Sequence, residues 1–133
     1  MLLGHLVNAM DDYSYGMGID KSDVRFVIHF SMAKSIEGYY QEAGRAGRDG
    51  HDSKCVLFFS TADVSRIRGL IQMPGKGKTN QQKERHLDLL KCMYEYCVEE
   101  HECRRVMLVK YFGQDFTKKE CAKTCDNCLK ARY

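Results

Sequence analysis

No run of apolar residues in this 133-residue chain is long enough to cross a bilayer; the longest, such as Cys55 to Phe59, falls far short of the roughly 20 a spanning helix needs. The opening Met1 to Val7 carries neither a basic leader nor a full apolar segment, so no secretory signal is expected. Repeats and low-complexity tracts are missing too. Without a secretory context, and with an odd count of seven, the cysteines read as thiols rather than disulfides. Proline occurs once, in Pro74-Gly75-Lys76-Gly77-Lys78-Thr79-Asn80, the clearest break in the chain. That loop ends in Gly-Lys-Thr, but the glycine a phosphate-binding loop requires five positions before Gly77 is Gln72, and an amphipathic helix rather than a buried strand leads in. Membrane-spanning and secreted disulfide classes are thereby excluded, and so is a nucleotide site at this loop.

What is present is an intracellular, globular composition, 44% apolar and 29% charged, long enough for one ordinary domain or two small ones. The net charge of +3 is unevenly placed. Lys and Arg number 6 against 8 Asp and Glu over residues 1–60, and 15 against 10 over 61–133. A basic C-terminal half suits a polyanion, although zinc held by four thiolates would add about −2 and shrink the excess.

Val24 to His29 and Lys54 to Phe59 are β-branched and aromatic runs, expected to be buried parallel strands on either side of a helix over Ser35 to Ala46. Ser60 or Thr61 can cap a further helix to about Met73, with Val64, Ile67, Leu70 and Ile71 on its apolar face. Beyond the break, Leu87, Leu90, Tyr94 and Cys97 recur at helical spacing, and a second helix runs from about Cys103 to Phe112 until Gly113 ends it, the two forming an antiparallel hairpin. The division expected is therefore residues 1–73 and 74–133.

Two groups of residues carry chemistry. In Gln41-Glu42-Ala43-Gly44-Arg45-Ala46-Gly47-Arg48-Asp49-Gly50, a continuous helix would set Gln41, Arg45 and Arg48 at i, i+4 and i+7 along one stripe, suited either to gripping phosphate or to a solvated basic face. Cys121-x3-Cys125-x2-Cys128, with Cys103 eighteen residues earlier, offers four thiolates, which satisfy tetrahedral Zn²⁺ in a closed, structural shell; unconnected surface thiols are the alternative. Cys55, Cys92 and Cys97 read as core residues, though Cys97 also stands near enough to Cys103 to be a ligand pair. His29 reads as a core or interlobe residue, and His86 and His101 as solvated.

Gly16-Met17-Gly18-Ile19-Asp20-Lys21, Asp23-Val24-Arg25-Phe26-Val27-Ile28-His29 and Ser35-Ile36-Glu37-Gly38-Tyr39-Tyr40 running into the arginine segment closely resemble the RecQ family of DNA helicases, the first and last blocks resembling motifs V and VI. The likeness is dense over 15–59 and again over 86–130, where Cys103-Arg104-Arg105 and Cys125-Asp126-Asn127-Cys128 resemble the family's zinc-binding subdomain. It implies an α/β fold: a partial second RecA-like lobe with a parallel sheet over 1–73, then a small α-helical zinc-binding subdomain with four cysteine ligands over 74–133. It implies an ATP-dependent 3′–5′ DNA helicase of repair, recombination and replication, acting on single-stranded DNA and duplex junctions, nuclear in a eukaryote and otherwise cytoplasmic. By the same resemblance Arg48 is the arginine finger, Arg45 and Gln41 couple nucleotide to the lobe interface, and Gly18 and Asp20 lie at the nucleotide, Asp20 near its ribose.

The family's first lobe, with its Walker A lysine and Mg²⁺-binding acidic motif, is the implied partner, so ATP and Mg²⁺ belong to a complete two-lobed enzyme and this chain alone is expected to be inactive. The alternative is a non-catalytic zinc module that binds DNA or protein. The start departs from the family pattern: Asp12 stands about where a phosphate-contacting threonine is expected, and a carboxylate there would repel phosphate.

Overall fold

A computed structural model describes residues 3–8 (backbone only), 21–74 and 77–130. The motif V positions Gly18 and Asp20, and Asp12, lie outside the described residues.

Strands β1 (Leu3–Asn8), β2 (Phe26–His29) and β3 (Lys54–Phe59) form one sheet in the order β1-β3-β2. β3 is central, parallel to β2 with Phe26 opposite Lys54 and His29 opposite Leu57, and antiparallel to β1 with Leu3 opposite Phe59. Its period-2 pattern puts Cys55, Leu57 and Phe59 into the core, as an interior strand should. β2 departs from expectation. It begins at Phe26, where the Lys54 amide bonding the Arg25 carbonyl makes the first rung and the Val24 carbonyl before it accepts from Gly47, and it is not buried on both faces: Phe26 is 62% exposed and Ile28 49%, followed by Phe30 at 79%.

Ser35 accepts from the Gly38 amide and starts α1 (Ile36–Ala43). α2 (Thr61–Gln72) is capped at Ser60, whose amide donates to Asp63 Oδ2 at 3.0 Å. The same carboxyl oxygen accepts from the Met32 amide at 3.2 Å and so ties the loop after β2 to the start of α2. Burial alone would raise the Asp63 carboxyl, but these amides and Arg66 outweigh it and hold it below the usual range. Thr79 and Gln82 form a reciprocal capping box for α3 (Asn80–Val98). Cys103 caps α4 (Arg104–Tyr111), which ends at Phe112 with Gly113 left-handed at φ 74°. A short α5 (Asp126–Lys130) follows the cysteine loop.

α3 packs most extensively against α2 and next against α1, so the expected pairing of α3 with α4 is not the dominant helix contact. The main core crosses the Pro74 break: Met32, Ile36, Tyr39, Leu57, Phe59, Ile67 and Ile71 share one cluster with Leu90, Met93, Tyr96, Cys97 and Leu108. Cys55 and Cys97 are buried as expected, and Cys92 packs half-buried at the edge. A second cluster consists of the other four cysteines with Val106 and Phe116.

Candidate functional site

The four cysteines reach one point from three elements. Cys103 stands at the N-cap of α4, Cys121 and Cys125 lie in the loop before α5, and Cys128 is in α5. Ala122 and Lys123 turn left-handed, at φ 49° and 59°, and fold the Cys121–Cys125 loop back on itself. All four sulfurs lie within 4.8 Å of one another and are buried, with Cys103 and Cys125 Sγ 3.8 Å apart. Tetrahedral zinc with Zn–S of ~2.3 Å requires sulfurs about 3.8 Å apart, so the donor set fits the ion in number, type and spacing.

The thiols without a cation are in conflict. Burial works against a thiolate at Cys121, yet the Thr124 hydroxyl, the Cys103 thiol and backbone amides pull it down to about 6, while burial and neighbouring sulfurs push Cys128 and Cys103 up. A divalent cation removes that conflict by letting all four ionise.

Contacts around the cluster fix its orientation. Arg104 is completely buried, donates through Nε to Asp126 Oδ1 at 3.1 Å, bonds the Tyr96 carbonyl, and lies 5.3 Å over the Tyr96 ring. Asp126 separates Cys125 from Asn127 and Cys128, so this ion pair joins the cysteine loop to α3 and the main core. Asn127 Nδ2 donates to the carbonyls of Glu99 (3.1 Å) and Glu102 (2.7 Å), tying α5 to the turn before α4. Sequence reasoning noted Cys-Arg-Arg and Cys-Asp-x-Cys only as motif ends. Nothing local says that Arg104 reaches Asp126 across 22 residues; an arginine at a helix start and an acid inside a cysteine loop are the only signals.

The arginine segment takes a different path from the expected helix. α1 ends at Ala43, and the chain tightens into turns in which the amide of Arg45 bonds Glu42 and that of Ala46 bonds Ala43. Gly47 then adopts φ 70° and donates to the Val24 carbonyl at 2.9 Å, which a continuing helix could not do. A Cβ there would strike Ser53 Oγ and stand 3.0 Å from the His51 carbonyl, so close approach explains this glycine. Gln41 is thus in the last turn of α1, while Arg45 and Arg48 sit half-buried on a non-helical turn; the helical stripe is replaced by a turn anchored through buried Ala46. His29, nine-tenths buried, bonds Glu42 through Nε2 at 2.7 Å and lies against Tyr39, as a core residue; His86 and His101 are exposed.

Residues 61–129 match the RecQ zinc-binding family, and residues 13–50 the helicase conserved C-terminal domain. Over 121 residues, 87% of this chain, it is 53% identical to the RecQ-like DNA helicase BLM of Xenopus laevis, of which it covers 9%. It is 48% identical over 115 residues, 86% of this chain, to the ATP-dependent helicase SGS1 of Saccharomyces cerevisiae, covering 8% of it. With the ATP-dependent DNA helicase Q1 of Mus musculus it shares 46% over 117 residues, 88% of this chain and 17% of the relative. The chain therefore spans less than a tenth of the first two. The zinc-binding family match and the four-thiol cluster together assign structural zinc as its cofactor.

Proposed function

From the chain's membership of the RecQ family of helicases, we propose that it supplies part of the second RecA-like lobe and the zinc-binding subdomain of an ATP-dependent 3′–5′ DNA helicase. The observation that carries the reading is the presence, in one chain, of a turn holding Arg45 and Arg48 and of a buried four-thiol cluster that the Arg104–Asp126 pair ties to the main core. Identity of 48–53% to helicases over most of the chain disfavours the alternative of a non-catalytic zinc module that binds DNA or protein and has lost helicase activity.

In this reading Cys103, Cys121, Cys125 and Cys128 hold the zinc, which when bound cross-links α4 to α5 and supplies no reacting position. Arg48 meets the charge that develops on the transferred γ-phosphoryl, and Arg45 and Gln41 relay nucleotide occupancy to the lobe interface. Gly18 and Asp20 lie at the nucleotide. ATP and Mg²⁺ are held chiefly by the first lobe, which is a required partner, and single-stranded DNA and duplex junctions are the substrate. Residues 1–73 and 74–133 are the two functional units, a division supported by the Pro74 loop even though their apolar side chains merge. The relatives' eukaryotic sources support a nuclear setting; no helix among the described residues is long and apolar enough to cross a membrane.

The test joins the chain to a complete first lobe. Arg48→Ala should cut DNA-stimulated ATP turnover about 10³-fold or more and leave nucleotide binding largely intact, since an arginine finger acts on the transition state. The 133-residue chain alone should turn over no ATP. Unchanged turnover in the joined variant would remove Arg48 from the chemistry.

A further inference from the structure

Arg48 has no helix to hold it, so its position depends on what braces the turn. The turn is pinned on both sides of Arg48: Gly47 donates to the Val24 carbonyl at 2.9 Å, and Asp49 to the Ser22 carbonyl at 3.2 Å. One side chain ties these points together. Arg25 donates through Nε to the Asp23 carbonyl (3.1 Å), through Nη1 to the Asp52 carbonyl (3.1 Å), and through Nη2 to Asp49 Oδ1 (2.5 Å). The same Asp49 oxygen accepts from the His51 amide at 3.1 Å. The Arg25 backbone carbonyl also accepts from Lys54, the first residue of β3.

We infer that Arg25 is a positioning residue for phosphoryl transfer, fixing the Arg45–Arg48 turn through Asp49 and Asp52. The inference rests on the helicase reading above. Three acceptors in different directions suit a planar guanidinium with five donors; a lysine ammonium at the end of a flexible stem cannot bridge all three at once. A second consequence is electrostatic. Arg25 occupies the carboxylate next to Arg48, and its hydrogen bond to Asp49 is the main reason that carboxyl sits below its usual range. Without Arg25, Asp49 loses this partner next to Arg48.

The experiment has two arms. In the 133-residue chain, amide hydrogen exchange at Gly47 and Asp49 should speed up in Arg25→Lys, with exchange in α3 unchanged. In the complete two-lobed helicase carrying this chain, Arg25→Lys should lower kcat about 10²-fold, as a misplacement near ~1 Å does, with KM for ATP within about twofold and the melting midpoint unmoved. Arg48→Ala is the control. If it abolishes turnover while Arg25→Lys leaves kcat near wild type, the positioning role is wrong and the helicase reading stands. If Arg25→Lys lowers the melting midpoint in step with activity, Arg25 only stabilises the fold and the inference is overturned. If Arg48→Ala has no effect, the reading beneath it fails, and the inference fails with it.

Discussion

Asp126→Asn should be among the most damaging conservative substitutions in the chain. It removes the carboxylate from a pair in which Arg104 is fully buried and the Asp126 side chain only 8% exposed. Breaking one side of such a pair leaves a charge in a dry site, a loss of about 3–5 kcal/mol. A chain of 133 residues has only about 7–20 kcal/mol of total stability at ~0.05–0.15 kcal/mol per residue. At about 2 kcal/mol per molar of urea, the midpoint should fall by about 2 M. Replacing both partners, as Arg104→Met with Asp126→Leu, removes the stranded charge and should recover about half of the loss. A deficit of about 1–3 kcal/mol should remain, because the Tyr96 carbonyl loses its donor. The assay is urea unfolding in zinc-containing buffer, with zinc per chain measured in parallel so that metal loss is not mistaken for loss of the pair. A midpoint for Asp126→Asn within about 0.3 M of wild type, with one zinc retained, would refute the reasoning.

Cys125→Ser should release the zinc and open the segment after Val98 to protease, whereas Cys92→Ser, outside the cluster, should keep one ion per chain; the reverse pattern in elemental analysis would show the wrong ligand set. Gly47→Ala and Gly50→Ala both force a side chain into left-handed backbone, about 1–2 kcal/mol each. Only the first meets neighbours, so Gly47→Ala should cost clearly more in thermal unfolding; equal losses would count against the close approach at Ser53.

Local rules made much of this chain legible without coordinates. Lys54–Phe59 is a strand from end to end because a short run of β-branched and aromatic residues, bounded by polar segments, acts within six residues. The cap expected at Ser60 pairs with Asp63 three residues on, and the Cys121-x3-Cys125-x2-Cys128 spacing places three thiols together through a single short loop. Where the determining partner is distant in sequence, local reading failed. The periodicity of Gln41, Arg45 and Arg48 supports a helix, but the Val24 carbonyl, 23 residues before Gly47, offers its amide a better position and ends it. The strand β1 and the exposed faces of Phe26 and Ile28 depend on which strand lies at the sheet edge and which face is covered, neither of which alternation encodes. Residue types and spacing thus determined the candidate zinc ligands and the candidate phosphate-binding arginines, and the ordered motif blocks carried the resemblance to the family. Tertiary structure decided how Arg25 and Asp49, and Arg104 and Asp126, find each other across 24 and 22 residues, since closing such loops is driven by the packing of the whole core and not by any local preference.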